Sequence, residues 1–268
     1  MKIGNELVWR ILLWISLALF VALYIFDPTK GIGDEQNRQL VRMAILRISA
    51  IPAIVSCIAI LRLRLCARPR GKNFAFFLPA MLVALNNSPW LPLADGSAVW
   101  KGNAAIGLLA IQVVGVGIME ELAFRGVLLP LLLERFGRTK KGMWVSVLLS
   151  SAVFGLIHFA NLIEMPNLAA VLMQVGYSTL LGALCAALLL GTGNIWYCVA
   201  VHTVYNFGGG LNTYFVEGTV WDLPTVLCTV FMAVAVFCWY LYLMLKQKPE
   251  DLPVFRKKKE EKDGGENA

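Results

Sequence analysis

Eight stretches of about twenty apolar residues, set apart by short polar loops, constrain this chain more than any other feature. They cover residues 7–26, 44–61, 74–93, 104–133, 143–163, 168–190, 195–215 and 223–245. A helix rises about 1.5 Å per residue, so each is long enough to cross a hydrocarbon layer roughly 30 Å thick. Only 15% of the 268 residues are charged, 58% are hydrophobic and the mean hydropathy is +0.68. That composition excludes an ordinary soluble domain. The fold class expected is all-α, a polytopic membrane helix bundle with about eight transmembrane helices. The first run lacks an A-x-A site before Asp27-Pro28 and reads as an uncleaved span, not a signal peptide. Asn86-Asn87-Ser88-Pro89 should kink the third run, and Gly208-Gly209-Gly210 should weaken the end of the seventh.

The formal charge of +7 does not mark a nucleic-acid protein. The basic residues fall in short loops, with no aromatic-interleaved groove and no Gly-rich phosphate loop. Lys30, Arg38, Arg42 and Lys101 lie in the loops on one side, and Arg47 and Arg125 inside spans. The remaining Lys and Arg, including the cluster from Arg62 to Lys72, collect on the other side. By the positive-inside rule both termini are cytoplasmic, and the expected location is a cell membrane, the bacterial inner membrane. Trp100, Trp144, Trp196 and Trp221 stand at span ends as interfacial anchors. The six cysteines show no ligand spacing and are expected as free thiols, most of them buried.

Against this apolar background the ionisable residues inside spans stand out. Glu120, Glu121 and Arg125 occupy the fourth run, where each charge near a bilayer centre costs about 2.5–3.5 kcal/mol on insertion scales. Glu121 and Arg125 are i,i+4 neighbours and are expected to pair, while Glu120 points elsewhere. The only two histidines, His158 and His202, also lie in spans. Phe154 shares a helix face with His158, and Asn206 shares one with His202. Counted from the cytoplasmic span ends, Glu120, His158, His202 and Asn206 lie about 20, 22, 10 and 16 Å deep.

These groups suit amide hydrolysis. A carboxylate in an apolar cavity can take a proton from water, an imidazole can position that water, and amide or imidazole N–H groups can hold an oxyanion. No G-x-S-x-G is present for serine catalysis. Zinc stays open, since Glu120, His158 and His202 are credible ligands, although no H-E-x-x-H occurs. Bland roles stand beside these: Glu120 as a buried structural carboxylate, the histidines as packing residues, and Asn206 as helix–helix hydrogen-bonding glue.

The set E-E-x-x-x-R (Glu120, Glu121, Arg125), F-x-x-x-H (Phe154, His158) and H-x-x-x-N (His202, Asn206), in that order on separate spans, resembles the three motifs of the CPBP family. This is the group of CAAX prenyl proteases and bacteriocin-processing or immunity proteins, also called Abi proteins. The resemblance implies an intramembrane endopeptidase acting on a membrane-associated peptide or protein. In it Glu120 activates water, His158 assists, and His202 and Asn206 stabilise the oxyanion, with Glu121, Arg125 and Phe154 in support. A glutamate-dependent reaction without cofactor is favoured over a zinc-dependent one. The alternative is a non-enzymatic membrane immunity or scaffold protein on the same fold. The expected organisation is helices 1–3 over residues 1–103, a CPBP-like catalytic core over 104–245, and a charged, disordered cytoplasmic tail over 246–268.

Overall fold

The computed structural model of the chain describes residues 3–102, 105–137, 139–163, 166–253 and 255. Helix forms at each of the eight expected places. Helices α1 (Ile3–Phe26) and α2 (Glu35–Leu61) make a hairpin, and α3 (Phe74–Asn86) is followed by a short α4 (Trp90–Asp95). A single long helical rod then holds α5 (Ile106–Glu121), a π-helical turn (Leu122–Leu128) and α6 (Leu129–Phe136). Helix α7 (Lys140–Leu156) passes into a 3-10 segment, Ile157–Ile163. Helices α8 (Leu168–Thr192), α9 (Ile195–Tyr214) and α10 (Leu223–Lys246) complete the bundle.

The starts of these helices are legible chemistry. Asp34, Thr139, Asn167, Asn194 and Asp222 each accept a backbone N–H from the first turn of the helix that follows. The Asp34 cap explains why α2 begins at Glu35, well before the apolar run at residue 44: the polar turns Glu35–Arg42 are helical too. Ahead of it, the Thr29 hydroxyl donates to Asp27 at 2.6 Å and chiefly accounts for a carboxyl held below the usual aspartate range.

The protein is a multi-pass membrane helix bundle, and the count of eight spans is not confirmed. Among the described residues six helices are long and apolar enough to cross a membrane: residues 6–26, 35–61, 106–136, 140–163, 168–192 and 223–246. Helix α3, at 13 residues, is too short, and α9 carries His202, Asn206 and Asn212 in place of apolar residues. The break after α3 is where the Asn-rich stretch places it, and it is pinned. Asn86 Nδ2 donates to Thr229 Oγ1, Asn87 Nδ2 to the Tyr205 carbonyl, and Asn212 Nδ2 to the Asn87 carbonyl. The three glycines do not weaken α9, which continues to Tyr214. Gly208 and Gly210 instead let the Asn87–Ser88 turn and Leu109 lie against the helix.

Helices from the two sides of residue 103 pack together. Helix α2 lies along α5, α3 lies along α9, and one apolar core joins Ala80 and Ala84 of α3 to Leu188, Leu189 and Val201. At one end of the bundle Leu40, Leu109, Leu211 and Phe215 form a smaller cluster, beside the two-stranded pairing of β1 (Ala98–Trp100) with β2 (Val216–Gly218). At the other end the 62–73 loop, the 191–194 turn and the end of α10 meet. The tail departs from the expected disorder in its first part: Pro249–Asp251 forms a 3-10 turn, and buried Phe255 accepts the Arg64 N–H through its carbonyl. The rest of the tail lies outside the described residues. Among the cysteines, Cys185 and Cys198 are buried, Cys66 and Cys238 are exposed, and all six are free.

The α5–α9 crossing sets the site, and Gly117 sets the crossing. A Cβ on Gly117 would stand 2.4 Å from Thr203 Oγ1 and 3.4 Å from the Val199 carbonyl oxygen. Overpacking of this kind costs about 1–3 kcal/mol. Gly117→Ala should therefore lower the melting temperature in detergent, and adding Thr203→Ala should restore part of it. Gly107→Ala, on the same helix with nothing within 4 Å, is the control and should be neutral or slightly stabilising. Equal melting of the two glycine variants would refute the role given to the crossing.

Candidate active site

Glu120 and Glu121 end α5, where the backbone passes into the π-helical turn. Such turns are rare and gather at functional sites, because i→i+5 bonding widens the helix and leaves carbonyls to be met from elsewhere. Here the Phe124 carbonyl accepts both the Leu129 N–H and, at 3.4 Å, the Ser150 hydroxyl of α7. Arg125 lies within the turn, and its Nη1 meets Glu121 Oε1 at 3.2 Å. Both side chains are 0% exposed.

The same Glu121 oxygen accepts a second bond, 2.7 Å from Nδ1 of His202 on α9. A carboxylate paired with Arg125 can only accept, so the His202 Nδ1 carries hydrogen. The other ring nitrogen, Nε2, then faces Glu120 Oε2 at 3.7 Å. That separation is too long for a direct hydrogen bond. The four groups form one chain in space: Arg125, Glu121, His202, Glu120. The first three are buried, whereas the Glu120 side chain keeps 14% exposure.

Phe154 gathers the rest. Its ring meets His158 edge-on at 5.2 Å, His202 at 5.7 Å and Phe124 at 5.0 Å. The Arg125 guanidinium lies over its face, 4.2 Å from the ring centre. Arg125 Nε and Nη2 have no hydrogen-bond partner among the described residues, and the aromatic face is what they meet. Gly182 of α8 makes room, since a Cβ there would stand 2.7 Å from Nη2. His158 is on the 3-10 segment, not on a continuous α-helix as the F-x-x-x-H spacing implies, yet its Nδ1 still donates to the Phe154 carbonyl at 2.9 Å. Its Nε2 is thereby left without the proton in the neutral ring. Asn206 is half-buried one turn beyond His202 on α9, next to Tyr205, whose carbonyl Asn87 binds.

Sequence spacing shows the Glu121–Arg125 pair but not the Glu121–His202 bond, which joins residues 81 apart on two helices. Nor does it show Ser150 beneath the π-helical turn or Thr203 at the Gly117 crossing. These contacts depend on helix packing, and no local pattern signals them. As for zinc, among the described residues no three His, Cys, Asp or Glu side chains are grouped to hold a metal ion. Both histidines direct Nδ1 at protein acceptors and leave Nε2 free, an arrangement that a metal-ligating histidine also shows.

The fold and this cluster define a class: a membrane helix bundle with a Glu–Arg–His network in its interior and a second, half-open glutamate beside it. The family described as type II CAAX prenyl endopeptidase, Rce1-like, matches residues 102–208, which agrees with the CPBP resemblance. The matched segment holds Glu120, Glu121, Arg125, Phe154, His158, His202 and Asn206. No curated protein and no solved structure gives a match.

Breaking a buried ion pair from one side costs about 3–5 kcal/mol, because the other charge is left uncompensated. Arg125→Met and Glu121→Gln should each lower the melting temperature in detergent, and the two together should recover part of the loss. Because Glu121 also holds His202, the double variant should regain stability without regaining the native His202 orientation. The imidazole resonances of His202 in an isotope-labelled sample would report this. A double variant no more stable than either single one would show that the pair is not the source of the loss.

Proposed function

We propose that the chain is an intramembrane endopeptidase that hydrolyses a peptide bond of a membrane-associated peptide or protein. The observation that carries the proposal is the contrast between adjacent glutamates: Glu121 is buried and bonded through one oxygen to both Arg125 and His202, while Glu120 is partly exposed beside an oriented imidazole. The family match supports protease chemistry of the CAAX type, and a prenylated substrate is not required by this reading.

In the reaction we infer, the Glu120 carboxylate takes a proton from water as the oxygen attacks the peptide carbonyl. His158, with Nδ1–H committed to Phe154, offers Nε2 to hold that water. The carbonyl oxygen gains negative charge. With Nδ1 of His202 bound by Glu121, any further proton on that ring sits on Nε2, the side facing the site, and can be donated to the oxyanion. The Asn206 amide is the second donor. Collapse of the intermediate breaks the C–N bond, and the proton held by Glu120 passes to the leaving amine. Glu121 is a positioning residue in this scheme: a carboxylate on the far nitrogen fixes the tautomer and orientation of the ring. No step passes through a metal. The basic end of the bundle faces the cytoplasm in this proposal, with both termini on that side.

Glu120→Gln should abolish turnover, with a loss of about 100-fold or more, and leave the melting temperature near wild type. The assay is peptide cleavage by purified protein, or accumulation of a precursor in membranes from a strain carrying the variant. Unchanged cleavage by Glu120→Gln would end the glutamate-dependent reading and favour the scaffold alternative. Purified protein should also contain substoichiometric zinc and keep its activity in chelator. Loss in chelator with recovery on Zn²⁺ would reverse the choice of mechanism.

A further inference from the structure

We infer that the basic end of the bundle carries a binding pocket for the phosphate group of an anionic phospholipid, separate from the peptidase site. A cavity of about 1130 Å³ opens between the 62–73 loop, the 191–194 turn and the end of α10. Arg64, Arg68, Arg70, Lys72 and Lys246 line it, and Asp251 is the single acidic residue at its wall. Among the described residues none of these five cations forms an ion pair. The five exposed side chains leave the cavity rim with a surplus of positive charge that an anion would offset.

A second observation points to an acceptor-rich ligand. Asn73 also lines the cavity; it is 2% exposed, and its Nδ2 has no hydrogen-bond acceptor. A buried donor without a partner is costly, and a phosphate oxygen at the cavity wall would satisfy it. Position and wall chemistry select a lipid over a free anion. The pocket lies at the ends of α2, α8 and α10, three of the helices long enough to span a bilayer, so it sits at headgroup depth. Its inner wall is apolar, with Phe76, Leu190 and Leu243 beside the basic rim, as an acyl chain below a phosphate requires. Past Phe255 the sequence carries both signs, Arg256-Lys257-Lys258-Lys259 followed by Glu260, Glu261, Asp263 and Glu266, so the test includes removal of the tail.

The test uses the full-length protein in neutral detergent, with native mass spectrometry and thermal melting as readouts. Phosphatidylglycerol should remain bound as a discrete adduct and raise the melting temperature with concentration. Phosphatidylcholine of the same chain length should do neither, and glycerol phosphate should bind at least tenfold more weakly than phosphatidylglycerol. The triple variant Arg68→Gln, Arg70→Gln, Lys72→Gln changes exposed side chains only and should weaken phosphatidylglycerol at least tenfold without altering the lipid-free melting temperature. Arg38→Gln with Lys101→Gln, at the opposite end, should leave binding intact. Equal binding of both lipids, or full phosphatidylglycerol binding by the triple variant, would overturn the proposal. So would glycerol phosphate binding as tightly as the lipid, which would identify a free-anion site. If phosphatidylglycerol binds only after residues 256–268 are removed, the tail fills the pocket and the proposal fails.

Discussion

One carboxylate oxygen organises the interior of this bundle. Glu121 Oε1 accepts from Arg125 on its own helix and from His202 on α9. In a region of low dielectric neither the charge of Arg125 nor the orientation of His202 is stable by itself. Sharing one acceptor solves both problems, and it fixes α5 and α9 in register with each other. Much of the surrounding packing serves this contact. Gly117 brings the helices close, Gly182 gives Arg125 its space, and Phe154 closes the network with an aromatic face where no further acceptor is supplied.

The same arrangement gives two consecutive glutamates different surroundings. Adjacent positions on a helix point about 100° apart, so one glutamate is fully buried while its neighbour keeps partial exposure. Evolution of a polar site in a membrane faces a conflict, since the groups that react must be accessible and groups that carry charge must be compensated. Here the compensated charges form the floor, and the accessible groups, Glu120, His158 and Asn206, stand on it.

Helix positions were largely legible because apolar length and polar caps are local properties. Asn194 and Asp222 mark helix starts by side-chain chemistry alone. The Glu121–Arg125 pair was legible for the same reason: four residues on one helix define a face. Of the eight expected spans, α3 and α9 are the two not long and apolar enough among the described residues to count as candidates. There polar groups such as Asn87 and Asn212 bind each other across helices, where the hydropathy pattern suggested lipid-facing segments. The bond from Glu121 to His202 was not legible at all, since nothing in either local sequence encodes which helices will lie together. The tail shows the opposite error, because its charge density masks Phe255, a single aromatic residue that docks against the bundle.

The π-helical turn at Leu122–Leu128 has a consequence for how the long rod is drawn. Each i→i+5 turn accommodates one residue more than an α-helical turn does. Everything beyond Leu128 is therefore out of phase with α5 by roughly one residue's rotation, about 100°. A helical wheel drawn through 106–136 as one unbroken helix would assign α6 the wrong inward face. The buried pair Leu129 and Pro130 belongs to a second wheel with its own origin. The rod is two helices in series with an angular offset between them, and the charged residues of the site occupy the joint.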